Sequence, residues 1–167
     1  MSNSIYRLDV STGETERIIR SASSWEGFTI HPHRAEIVFA EEKGSGRTHT
    51  SELYALDLES QAVVQLTDPP ALLETAPLWS PDGEQLAFLF RGMDNIGVMD
   101  KNGDVRILEV PTKGGVHSFT WSPDGEWILF WGVMTNRVYT SYRVMAQVHD
   151  GLSGRVLFPM YHGHQMV

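Results

Sequence analysis

The chain has 167 residues, which suits one ordinary domain, and 41% of them are hydrophobic and 20% charged. This composition is typical of a globular chain and excludes a disordered or collagen-like one. Thirteen Lys and Arg against 21 Asp and Glu give a net charge of −8, so we expect no nucleic-acid partner. Cysteine is absent, which excludes disulfides, thiolate zinc sites and a cysteine nucleophile.

The hydropathy of the chain gives no sign of membrane targeting. The N-terminal sequence MSNSIYR lacks the basic and apolar pattern of a secretory signal. No stretch nears the roughly 18 apolar residues that cross a bilayer. We therefore expect no membrane insertion and a cytoplasmic location, or a periplasmic one if the chain is a fragment of a secreted parent.

The first predicted elements are two short strands, which form a half unit over residues 1–20. The sequence IYRLD at 5–9 alternates apolar and polar residues, and STG at 11–13 marks a turn before a short strand centred on RII at 17–19. The next unit, over 25–68, has room for four strands and contains IHPHR at 30–34.

The 25–68 unit also carries a polar insert at 41–51, longer than the repeat requires. Loops of this kind often carry function, so Arg47 and His49 are candidate ligand-binding residues. An ordinary exposed loop is the simpler interpretation.

Two further units follow, over 74–110 and 116–160, and each contains the hexapeptide WSPDGE. The hexapeptide begins at Trp79 and again at Trp121, a spacing of 42 residues. Proline presets φ, aspartate bonds nearby backbone and glycine accepts positive φ, so Pro-Asp-Gly predicts a tight turn. We accordingly expect Asp82 and Asp124 to be structural, and both tryptophans to fill the wedge between neighbouring units.

A repeat of 40–45 residues with four short strands per unit is typical of a propeller blade. We predict an all-β fold, a β-propeller of four-stranded antiparallel blades with about three and a half blades in one partial domain over 1–167. Residues 161–167 start a further strand. A β-sandwich fits less well, because it does not require a long fixed repeat.

The WSPDGE turns, together with MDKNG at 99–103, resemble the propeller repeats of the TolB family, a WD-like repeat. The resemblance covers nearly the whole chain and is strongest over 76–158. It implies a fold without fixing a function, because similar repeats occur in periplasmic TolB proteins, in serine peptidases of the prolyl oligopeptidase class and in oligogalacturonate lyases.

Loops that enter the innermost strands are expected to converge near the channel of a propeller, which makes Glu74 and His117 candidate ligand-binding residues. Near the C-terminus, His162, His164 and Gln165 are candidate ligands of a divalent metal. The resemblance to oligogalacturonate lyases implies a metal near the axis with His and Gln ligands. Solvated histidines and no cofactor are nevertheless the favoured expectation.

Another His-Xaa-His pair is formed by His31 and His33. It occupies the turn position that is Ser-Pro-Asp in the two later units. We therefore predict a turn there rather than a metal site.

Motifs for stand-alone catalysis are missing from the sequence. It contains no nucleophile elbow, no HExxH and no glycine-rich phosphate loop. We predict a non-enzymatic scaffold for a protein or ligand, completed by missing sequence or by self-association, as in a homodimer that closes a ring. The alternative is a propeller that belongs to an enzyme, either the substrate-gating domain of a prolyl-oligopeptidase-type serine peptidase or a metal-dependent lyase-like propeller.

Overall fold

A computed structural model describes residues 3–21, 25–44, 50–67, 73–91, 95–108, 110, 115–133 and 141–147. These residues form thirteen β-strands and no helix, so the predicted all-β class is confirmed. The strands are β1 (Asn3–Leu8), β2 (Thr15–Ser21), β3 (Trp25–Ile30), β4 (Glu36–Lys43), β5 (Thr50–Asp57), β6 (Val63–Gln65), β7 (Leu73–Trp79), β8 (Gln85–Arg91), β9 (Asn95–Asp100), β10 (Val105–Leu108), β11 (Val116–Trp121), β12 (Trp127–Val133) and β13 (Ser141–Gln147).

The strands pair antiparallel in chain order and form successive units. The N-terminal hairpin is β1 with β2, the first blade is β3–β6, the second blade is β7–β10, and the third blade contains β11–β13. A parallel pair, Ser51 with Leu73, links β5 to β7, so the first and second blades share one sheet. The fourth strand predicted for the last unit lies outside the described residues.

Each face of the first blade packs against a different neighbour, because successive residues of a strand point to opposite sides. On β4, Ile37 and Phe39 pack with Ile5 of the N-terminal hairpin. Val38 and Ala40 pack with the second blade instead. The absence of polar alternation in this part of β4 therefore follows from burial on both sides.

The joint between the second and third blades is built around Trp121. Its side chain is 7% exposed and packs with Ile128 and with Leu89 of the second blade. The indole Nε1 donates to the carbonyl of Leu78 at 3.0 Å. Trp121 therefore fills the wedge between units, as the sequence predicts.

Trp79 holds the same repeat position at the joint between the first and second blades. Its ring contacts that of His31 edge to face, with centroids 4.7 Å apart. Among the described residues, its buried Nε1 has no hydrogen-bond partner. Equivalent tryptophans thus make different polar contacts at the two joints.

Candidate functional site

The aspartates of the two WSPDGE turns are engaged by their own turns. Asp82 Oδ1 accepts hydrogen bonds from Ser80 Oγ at 2.6 Å and from the Glu84 amide at 3.0 Å. The Ser80 bond is the main cause that lowers the pKa of Asp82. Gly83 adopts a φ of 74°, and Asp124 makes equivalent bonds in the later turn. These carboxylates stabilise turns and are poor candidates for acid catalysis.

A second set of repeated aspartates lies at the C-terminal ends of β1, β5 and β9 and is engaged in the same way. The Oδ1 atom of each accepts a backbone N–H two residues later; the three residues are Asp9, Asp57 and Asp100. The hydroxyl of Ser11 is the main cause that lowers the pKa of Asp9 to about 2. A repeated aspartate in this chain therefore indicates a turn and not a catalytic residue.

Glu74 differs because its carboxyl is buried at the start of β7, with 2% of the residue exposed. Thr67 Oγ1 donates to its Oε2, and the same Thr67 oxygen accepts the amide N–H of Leu53 at 3.0 Å. Ser51 Oγ donates to the Glu74 carbonyl at 2.6 Å. This hydrogen-bonded cluster connects the first blade to the second.

Burial raises the pKa of Glu74 to about 7, and the hydrogen bond from Thr67 only partly opposes this effect. The negative charge of Glu52 acts in the same direction as burial. Glu52 itself accepts bonds from Lys43 Nζ at 2.8 Å and Tyr54 Oη at 2.6 Å. Glu74 can therefore exchange a proton near neutral pH, a property found at binding and catalytic sites.

The structure gives His117 a different environment from that of Glu74. His117 is exposed on β11, and its ring lies 4.5 Å from the ring of Trp131 on β12, measured between centroids. Among the described residues, no hydrogen bond or ring contact joins it to Glu74. The two candidates do not form one site by direct contact.

The other predicted site residues lie outside the described residues; they are Arg47, His49, His162, His164 and Gln165. Their ligand-binding and metal-binding roles stay predictions. Within the described ranges, no three His, Asp or Glu side chains are grouped to hold a metal ion. The same ranges contain no helix long and apolar enough to cross a membrane.

His31 has a role that sequence reasoning missed. Its Nδ1 accepts the backbone N–H of His33 at 3.0 Å and that of Arg34 at 3.1 Å. Its Nε2 lies 3.2 Å from the carbonyl oxygen of Gly83, in the turn of the next blade. The signal was a histidine where the later turns have serine, but the contact with Gly83 requires two blades to be packed together.

Comparison with known proteins places the chain among propeller proteins without naming its activity. No family model matches. The curated protein dipeptidyl-peptidase 5 of Porphyromonas gingivalis is 27% identical over 165 residues, which cover 92% of this chain and 23% of the peptidase. The chain thus spans less than a quarter of the length of the relative that it matches.

Solved structures give the fold directly. TolB from Acinetobacter baumannii has a TM-score of 0.69 at 23% identity, covering 93% of this chain and 38% of TolB. An oligogalacturonate lyase in complex with manganese has a TM-score of 0.61 at 16% identity, covering 85% of this chain and 38% of the lyase. The predicted β-propeller fold is confirmed.

Proposed function

We propose that the chain is a binding scaffold that forms part of a larger propeller ring. The observation that carries this proposal is that both ends of the blade stack expose apolar positions whose repeat equivalents are buried or partly buried. Exposed apolar surface of this kind favours contact with another protein surface.

At the N-terminal end, the uncovered position is Ile30. It precedes its turn as Trp121 does in the third blade, yet Ile30 is 60% exposed and Trp121 7%. Trp121 bonds the Leu78 carbonyl, which lies on the innermost strand β7 of the preceding blade. Among the described residues, the N-terminal hairpin contains only β1 and β2, so Ile30 has no strand equivalent to β7 beside it. Phe28 shares the exposed face with Ile30, because they pair with Phe39 and Ile37, which lie on one face of β4.

At the C-terminal end, the uncovered positions are Leu129 and Trp131 on β12, which are 36% and 40% exposed. Their repeat equivalents on β4 are Val38 and Ala40, and both are fully buried against the second blade. A further blade in the same arrangement would cover them. The two ends differ from each other, so contact between copies would be head to tail, and such contacts either close a ring or continue as a filament.

The test is light scattering on a sizing column, with Ile30→Glu and the control Val105→Glu, which adds the same charge at an exposed position of outer strand β10. If a second copy supplies the missing cover, the wild type and Val105→Glu form a discrete oligomer and Ile30→Glu is a monomer. If other polypeptide sequence supplies it, all three are monomers, and Ile30→Glu binds less of a hydrophobic dye than the wild type. A monomer whose dye binding is low and unchanged by Ile30→Glu contradicts the scaffold proposal.

A second candidate function is the propeller part of a serine peptidase, controlling access of a peptide to a hydrolase unit. The relative that supports it is the dipeptidyl-peptidase with 27% identity. An antibody against the chain, combined with a fluorophosphonate label for active serines, tests it in the source cells. A labelled band much larger than 167 residues supports this function, and an unlabelled band contradicts it.

A further inference from the structure

We propose that His31 is a pH switch at the joint between the first and second blades, which holds its own turn against the turn of the second blade when the imidazole is neutral and releases that contact when the imidazole is protonated. The switch consists of His31 and its contacts with His33, Arg34 and Gly83. It is independent of how the ring is completed, because all four residues lie within the described part of one chain.

The hydrogen bonds of His31 fix one tautomer. Nδ1 faces two backbone N–H donors, those of His33 at 3.0 Å and Arg34 at 3.1 Å, so it carries no proton. The remaining nitrogen, Nε2, therefore carries the proton and donates to the Gly83 carbonyl at 3.2 Å. A neutral imidazole thus accepts hydrogen bonds from the turn of its own blade and donates one to the turn of the next blade.

Close packing leaves the ring little freedom. A Cβ atom placed on Gly83 would lie 2.6 Å from Cε1 of His31. On another side, the Trp79 ring contacts the imidazole edge to face, with centroids 4.7 Å apart. The Trp79 amide also reaches Thr29 Oγ1 of β3 at 3.5 Å, which gives the same joint a second polar contact.

The charged groups around the imidazole come mainly from its own turn. Arg34 and His33 disfavour a charged imidazole, and Glu36 favours it. From the second blade, the Gly83 carbonyl faces the imidazole and favours its charged form, the neutral Trp79 ring packs against it, and the Asp82 carboxylate interacts with His33. Burial is the largest effect, and it lowers the pKa of His31 below its usual value of 6.5.

Protonation would break this arrangement because it places a hydrogen on Nδ1, directed at two other hydrogen-bond donors. The ring must then leave, and two turn amides and the Gly83 carbonyl lose their partner. The folded protein binds this proton more weakly than the unfolded chain does. The contribution of neutral His31 to the stability of the fold is therefore complete above pH 6.5. It is lost as the pH falls from 6.5 through the lower folded pKa.

The test is amide hydrogen exchange by NMR on the full chain between pH 7.5 and 5, corrected for the intrinsic exchange rate. The reporters are the amides of His33 and Arg34 in the turn and of Trp79 across the joint. We expect their exchange to accelerate about tenfold in acid, as expected when local structure opens. His31→Ser copies the residue of the later turns and is expected to remove this acceleration; His117→Ser, which changes an exposed histidine, is expected to retain it.

Two results would overturn the proposal. One is unchanged protection of the three amides at pH 5 in the wild type. The other is the same acid-induced acceleration in His31→Ser. If His31→Ser does not fold, the nitrogen chemical shifts of His31 in the wild type decide, because a proton on Nδ1 at pH 7.5 or a titration midpoint at or above 6.5 contradicts the switch.

Discussion

Glu74 and the turn aspartates show how far a single residue can be interpreted from sequence. The structural role of Asp82 follows from turn chemistry within three residues, and the structure places its carboxylate in those hydrogen bonds. The sequence distinguishes Glu74 only by its place near the start of an innermost strand. Its carboxyl accepts a bond from Thr67 and its main-chain carbonyl one from Ser51, and both partners come from another blade, so local sequence could not predict its proton affinity.

We predict that Glu74→Gln raises the stability of the protein relative to wild type as the pH rises. The pKa of about 7 in the folded protein exceeds the ordinary 4.5, so ionisation above pH 4.5 favours the unfolded wild type until the pH passes 7. Glutamine removes the cost of ionising a buried group, and its side-chain oxygen can still accept the hydrogen bond from the Thr67 hydroxyl. The gain at pH 8 over pH 5 should be about 2 kcal/mol after allowance for solvent screening, measured by urea unfolding.

Glu126→Gln is the control for this measurement, because it removes the same charge from an exposed side chain. Its effect on stability is measured at each pH and subtracted from that of Glu74→Gln. A Glu74→Gln variant with no pH-dependent gain would show that the carboxyl is ionised without cost in the fold.

At the scale of elements, the strands and turns follow from the repeat, whereas the contacts between blades do not. The sequence places Trp79 and Trp121 at equivalent positions, but only packed blades distinguish them: one indole bonds Leu78, and the other lacks a bond among the described residues. The parallel pair of Ser51 with Leu73 is likewise a product of proximity in space, with no local sequence signal.

This difference predicts unequal effects for one substitution at the two joints. Trp121→Phe removes a hydrogen bond and leaves the Leu78 carbonyl without its donor, whereas Trp79→Phe removes a buried N–H that has no described partner. Both lose similar volume, so Trp121→Phe should destabilise the protein by about 1–2 kcal/mol more than Trp79→Phe. Thermal or urea unfolding checks the order, and equal losses would mean that the Leu78 bond contributes little.

For the whole molecule, the repeat predicts the fold class, but the uncovered ends appear only when burial is compared between equivalent positions. Ile30 and Trp131 lie at opposite ends of the described stack and belong to different blades. Head-to-tail association would bring the face that carries Ile30 in one copy into contact with the face that carries Trp131 in a second copy.

Mixing two variants tests this arrangement. Ile30→Glu and Trp131→Glu should each be monomeric, because every contact between identical copies then contains one altered face. A mixture retains one contact between two unaltered faces, so it should form a heterodimer in light scattering. Failure of the mixture to associate, when the wild type does, would contradict head-to-tail contact.

The individual polar contacts at each joint also bear on how a chain of similar repeats acquires the correct order. Repeated units are prone to misassembly while they fold, since similar blades offer similar apolar faces. Here the imidazole of His31 fits the Gly83 carbonyl, and the indole of Trp121 fits the Leu78 carbonyl. A serine, as at Ser80 or Ser122, is too short to make the histidine contact, so the polar contacts of the two joints are not interchangeable.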